Sequence, residues 1–254
     1  MKVLVCVKRV PFTGGKMVLA ADSMALETRH LGFTISPHEE CGVEEAVRLI
    51  EANKGESVVL TLGPAEAGEQ LRDAMALGMD RAIHLQTDGS EWDAEATAGA
   101  LLQAILGDEA ANGPFDIVFF GNESADTGNF QVGIRVAHAL GRPCVTGLKK
   151  VTVEGTDVRC EQEVEGGRDV YVVPLPAVLT VKEGLNLPRY PSVPGRMRAK
   201  TKPVALFTPQ RPAPRLELVK LAVPPGQGRR AESLGVGPAA APAVVDVLEK
   251  AGLL

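Results

Sequence analysis

Short apolar runs alternate with helical patterns through the first 150 residues, and no other feature constrains the fold as strongly. Lys2–Val7 opens the chain as an apolar run, Ser57–Leu62 is a β-branched one, Ala82–Leu85 is shorter, and Phe115–Phe120 is the strongest. Between them, Val43, Ala46, Val47 and Ile50 recur at helical spacing. Ala65–Leu77 and Asp93–Leu106 are alanine-rich helix formers, and Gln131–Leu140 places Val132, Val136 and Leu140 on one face. Strands that alternate with helices imply βαβ units. The expected class is α/β, a Rossmann-like doubly wound, mostly parallel sheet. After Gly141 the pattern changes. Lys149–Val153, Asp157–Val164, Asp169–Val173 and Ala177–Val181 read as short strands broken at Gly155 and Gly166-Gly167, which suggests a small antiparallel edge layer. An extended C-terminal arm follows and ends in a helix at Ala243–Lys250, stopped by Gly252. The domain reading is a body of residues 1–208 and an arm of residues 209–254.

Composition narrows the function classes. The chain is 45% hydrophobic and 23% charged, an ordinary globular mixture. No run approaches the about 18–20 apolar residues of a membrane span. The opening stretch is too short for a secretory signal, so the expected location is cytoplasmic. Cys6, Cys41, Cys144 and Cys160 form no CxxC pair, which leaves free thiols, most of them buried, rather than a metal knuckle or dithiol. The net charge is −5, yet Lys182–Arg230 carries eleven Lys and Arg against two Glu, together with nine of the 18 prolines. An acidic body therefore bears a basic, proline-rich segment. Nucleic acid is a poor match, because only Tyr190 and Phe207 offer stacking rings there. A protein partner with an acidic face fits better.

In a doubly wound sheet, ligands bind beyond the carboxyl ends of the strands. Three loops lie there: Lys8–Gly15, Gly63-Pro64-Ala65 and Gly121–Gly133. The third is polar, bears glycines and opens a helix, so its backbone N–H groups suit a phosphate. It equally suits a capped helix with Asp126 or Thr127 as N-cap and Gly128 as a turn residue. Neither GxGxxG nor GxxxxGK[ST] occurs. Ser124 is not in a GxSxG elbow, and His30, His38, His84 and His138 lack metal-ligand spacing. His84 and His138 read as structural; His38 precedes a helix and can face the site. Without a nucleophile, base or metal, the chain reads as a binder or carrier.

One segment carries a resemblance. Leu175–Lys202 contains LPAV, then Asn186-Leu187-Pro188-Arg189-Tyr190, then Met197-Arg198-Ala199-Lys200. It resembles the signature of the electron transfer flavoprotein β subunit family. Val5–Val10, Val43–Leu49, Gly63-Pro64, Gly78–Ala82 and Gly121–Ser124 fall in that family's order, so the resemblance covers roughly residues 1–208.

That resemblance implies a heterodimer whose α partner holds most of an FAD, with residues 209–254 of this chain contacting that subunit. It implies an electron carrier without catalytic residues of its own. Electrons come from dehydrogenases, typically the acyl-CoA dehydrogenases of fatty acid β-oxidation, and go to a membrane quinone oxidoreductase, with no insertion of this chain into the membrane. It implies a buried structural AMP. The nucleotide contacts carried over by position are Cys6, Ser36, Pro37, His38, Glu39, Leu62 and the loop Asp126, Thr127, Gly128, Asn129, Phe130, Gln131, Val132 and Gly133. Val132 stands where relatives often have Thr, and the Gln-Val-Gly ending also occurs in relatives that hold a second FAD and bifurcate electrons from NADH. A stand-alone adenine-nucleotide-binding regulator is the other alternative. Phe12 and His38 fall on loops that the family turns toward the isoalloxazine ring. Within the docking loop, residues 183–202, Val193 stands where a Leu anchor is common, held extended by Pro191 and Pro194, and Arg196, Arg198, Lys200 and Lys202 surround it.

Overall fold

A computed structural model describes residues 1–14, 17–224 and 231–254. Gly15, at the end of the first loop, and Arg229 and Arg230, at the end of the basic stretch, lie outside the described residues. In chain order the elements are β1 (Lys2–Val7), β2 (Val10–Pro11), β3 (Phe33–Thr34), α1 (Pro37–Asn53), β4 (Glu56–Gly63), α2 (Gly68–Leu77) and β5 (Arg81–Gln86). Then come α3 (Ala94–Asn112), β6 (Ile117–Gly121), α4 (Val132–Leu140), β7 (Cys144–Glu154), β8 (Asp157–Val164), β9 (Gly167–Pro174) and β10 (Ala177–Val181). α5 (Val193–Ala199), β11 (Val204–Phe207) and α6 (Ala241–Lys250) complete the order.

Among the described residues, nine strands form one sheet in the order β11-β5-β4-β1-β6-β10-β7-β8-β9. From β11 to β7 every pairing is parallel. β1 lies at the centre, between β4 and β6. Its residues alternate between two cores: Val3, Val5 and Val7 pack with α1 and α2, while Leu4 and Cys6 pack with α3 and α4. Burial on both faces explains why β1, β4 and β6 read as continuous apolar runs. The doubly wound expectation is met.

The antiparallel edge is β7–β8–β9, continuous with the same sheet. Ala177–Val181 does not belong to it. That strand is β10, fully buried and parallel to both β6 and β7. Its unbroken burial, like that of β6, is the mark of a central strand. Two further elements lie in the proline-rich segment. β11 extends the parallel sheet beside β5. Val193 is not in an extended loop but opens the helix α5, because Ser192 caps it by accepting from Gly195 N at 3.1 Å and Pro194 sits in the first turn, where its missing N–H costs nothing. Helix α4 starts at Val132, several residues later than a cap at Asp126 or Thr127 requires. Cys6, Cys41 and Cys160 are buried free thiols, and Cys144 is partly so.

Candidate functional site

At the carboxyl ends of β1, β6 and β10, the first turn of α1 gathers three loops. Ser36 is its N-cap residue and Pro37 its first residue. Glu39 turns back beneath them, and its Oε2 accepts from Ser36 N and Lys8 N, both at 3.1 Å. The carboxyl is buried, and burial pushes its pKa up to about 8 against the pull of those two backbone donors. Ser36 Oγ accepts from Ala125 N at 2.9 Å, which ties the β6 loop to the same turn. Gly121 is required here: a Cβ would come 2.8 Å from Glu39 Cγ and 3.3 Å from the Glu123 carbonyl.

Lys8 spans the mouth of this cluster. Its Nζ meets Asp126 Oδ2 and Glu91 Oε1, each at 2.7 Å. Burial opposes its charge, but the two carboxylates outweigh burial and raise its pKa. Asp126 is likewise partly buried, and Lys8 holds its carboxyl below the ordinary range. The Cys6 thiol is pushed well up, by burial first and by Glu39 second, so it stays a protonated core group. His38 lies between two loops. Its Nδ1 accepts from Glu183 N at 2.8 Å, which leaves the proton on Nε2, directed to Glu123 Oε1 at 3.4 Å.

The loop before α4 presents unused donors. Gly128 takes φ +56° and Phe130 φ +56°, which turns the chain sharply twice. Among the described residues, the N–H groups of Asn129, Phe130, Gln131, Val132, Gly133 and Ile134 meet no protein acceptor. No side chain caps the helix, and its first turn holds no acid. Gly133 lets α4 lie close on the sheet: a Cβ would come 3.0 Å from Thr180 Cγ2 and 3.1 Å from Phe120 Cγ. Thr180 Oγ1 donates to Asn122 Oδ1 at 2.9 Å and accepts from Gly147 N at 3.0 Å, which holds the base of the loop.

The expected contacts thus divide. Glu39, Asp126 and Thr127 converge on Lys8, His38 meets Glu123, and Ser36 meets Glu39 and Ala125, while Asn129–Gly133 form the open helix start. Cys6 and half-buried Leu62 belong to the core beneath, and Pro37 is exposed. Phe12 is 57% exposed at the same end of the sheet. Lys8 and Glu123, which tie the site together, lie in two of the three loops expected beyond the strands, Lys8 as the first residue after β1, but carry no individual role in the sequence reading.

On the proposed docking segment, Leu187, Tyr190, Val193 and Met197 are all exposed, Tyr190 by 95%. Arg196, Arg198 and Lys200 are exposed around them. Lys202 is not one of that rim. Its ammonium turns inward and donates to the carbonyls of Met75 and Met79 at 3.1 and 2.6 Å. A groove of ≈ 980 Å³ lies away from both places, between α3, β5, β11 and residues 209–215. Among the described residues no helix is long and apolar enough to cross a membrane, and no His, Cys, Asp and Glu group has metal-site geometry.

Residues 23–211 match the electron transfer flavoprotein domain. The chain is 37% identical over 228 residues to the electron transfer flavoprotein subunit beta of Syntrophomonas wolfei, covering 89% of this chain and 87% of that one. It is 35% identical over 206 residues to the Bacillus subtilis subunit, covering 80% and 77%. Its identity to the Homo sapiens subunit is 34% over 210 residues, 82% of each chain. The chain belongs to the electron transfer flavoprotein family, as a subunit of the beta type.

Proposed function

We propose that this chain is the β subunit of a heterodimeric electron carrier, that it holds AMP at the start of α4, and that it packs against an FAD held mainly by an α subunit. The observation that carries the nucleotide reading is the row of backbone N–H groups from Asn129 to Ile134 without a protein acceptor. Such donors at a helix N-terminus, with the dipole behind them, fit a phosphate. The surrounding charge is compatible. Lys8 neutralises Asp126, and Glu39 stays protonated up to about pH 8, so neither presents a bare carboxylate to an anion.

FAD supplies the redox chemistry when bound. This chain's contribution toward it is Phe12, an exposed ring on the loop after β1, and His38, whose ring is fixed by Glu183 and Glu123. No protein nucleophile or metal is needed for that role. The basic, apolar surface around Val193 fits an electron-donating dehydrogenase with an acidic rim, such as an acyl-CoA dehydrogenase. A quinone oxidoreductase is the acceptor that this reading assigns.

The test is to co-produce the chain with an α subunit, purify the complex, and quantify flavin and adenine nucleotide released by acid. One FAD and one AMP per heterodimer is the expected result. Two FAD would replace the reading with a bifurcating flavoprotein. Nucleotide without flavin or α subunit would replace it with a stand-alone regulator.

A further inference from the structure

The docking segment stands out from the body, yet its base is gripped by the middle of α1. Glu44 is the eighth residue of α1 and is almost fully buried. Its Oε2 accepts from Arg189 N at 3.1 Å and Arg189 Nε at 2.9 Å, and its Oε1 accepts from Arg189 Nη2 at 3.1 Å. Arg48 Nε completes the carboxylate at 2.6 Å. The Arg189 fork reaches on to Glu51, with contacts of 2.7 and 3.0 Å. One turn earlier, Asn186 Nδ2 donates to Cys41 O at 3.0 Å and Glu45 Oε2 at 2.9 Å. The strip 186–189 is thus held by side chain and backbone at once, while Tyr190 and Val193 beyond it touch little.

We propose that Glu44 is a positioning residue for docking: by gripping Arg189 it presets the exposed apolar cluster that meets the dehydrogenase. This inference rests on the docking role proposed above for that segment. A buried carboxylate that accepts four donors defines one geometry, and bidentate arginine pairing adds direction to strength. A segment already in its bound shape loses less entropy on association. The grip acts through Arg189, and Glu44 itself is buried.

Glu44→Gln is the informative variant. It leaves no buried charge unpaired, because Arg48 and Arg189 both reach solvent. In the heterodimer, the Michaelis constant for the dehydrogenase should rise about tenfold, the loss expected when one or two ordered side chains are set free. The saturated rate, flavin content and reduction by dithionite should not change. Amide exchange over 183–199 should quicken, while exchange in β1 and β6 stays slow. On this background Val193→Ala should cost less than it does in the wild type, since both act on one docking event. An unchanged Michaelis constant for Glu44→Gln, with Val193→Ala still effective in the wild type, overturns this proposal alone. Loss of flavin, or full additivity of the two variants, also overturns it. If Val193→Ala leaves the wild-type Michaelis constant unmoved, the docking role itself fails, and this inference with it.

Discussion

At the scale of one residue, Glu39 has the most to say about the site. A carboxyl whose Oε2 takes two backbone donors would ordinarily ionise readily. Here burial wins, and the group keeps its proton up to about pH 8. Lys8, Asp126 and Cys6 are the titratable groups around it. The direction of the stability effect follows. An unfolded Glu loses its proton near its ordinary value of 4.5, so between there and about 8 only the folded chain keeps it. Stability therefore falls as pH rises through that window and levels off above it. Glu39→Gln mimics the protonated acid and can still accept from Ser36 N and Lys8 N. The variant should lose this part of the pH slope and gain on the wild type steadily from pH 5 to 8, by up to several kcal/mol. Urea unfolding of both proteins across pH 5–9 measures the difference, and parallel curves would sink the assignment. Nothing in the sequence signals this proton. Glu39 stands there only as a nucleotide contact implied by the resemblance, and its burial against Gly121 is a tertiary fact.

At the scale of the element, α4 decides the nucleotide reading. Gln131 precedes the helix, and its side chain accepts from Arg135 at 3.2 and 3.1 Å. Gln131→Glu would turn that contact into an ion pair at i,i+4 and set a negative charge on the positive end of the dipole. Both changes favour the nucleotide-free protein, by up to about 1 kcal/mol together. The same charge repels a phosphate on the neighbouring N–H groups. The variant should therefore melt higher when stripped of nucleotide yet retain less AMP when purified, and added AMP should raise its melting temperature less than it does in the wild type. Equal AMP content in the two proteins would remove the phosphate from this loop. The contrast between elements also shows what periodicity can and cannot deliver. α1 is legible because Val43, Ala46, Val47 and Ile50 mark its buried stripe, and β1, β4 and β6 are legible because burial on both faces demands unbroken apolar runs. The start of α4 is not, since positive φ at Gly128 and Phe130 delays the helix while the local residues would permit an earlier cap. β10 reads from the sequence as part of the antiparallel layer because five buried residues carry no record of which strands flank them or in which direction. α5 is not legible, because prolines around Val193 suggest extension, whereas Pro194 falls in a first turn capped by Ser192.

At the scale of the whole molecule, the sheet makes a self-sufficient body and the C-terminal arm does not share its core. The arm leaves past the loop before α3 and the helix's first turn, where Arg211 meets Ser90 and Arg215 meets Glu95, and Leu221 N donates to Ser23 O at 2.7 Å. Beyond it, α6 buries none of its residues, although Val244, Val245 and Val247 give it an apolar side. Ten residues are too few for a helix that stands alone in water, so its stability must come from something it packs against. Among the described residues that surface is not in this chain, and the α subunit is the partner that the proposed function supplies. Cutting the chain after Pro224 keeps the hydrogen bonds just named for Arg211, Arg215 and Leu221 and removes α6. The truncated β subunit on its own should then unfold at the same urea concentration as the full chain, within the about 0.5 kcal/mol typical of surface changes. Its complex with the α subunit should dissociate at least tenfold more readily, because several valines lose their cover at about 0.8 kcal/mol per buried CH₂. Sedimentation of the two heterodimers at falling concentration measures this directly. Equal dissociation constants would mean that α6 packs elsewhere, and a lower unfolding midpoint of the truncated subunit would mean that it packs on its own body.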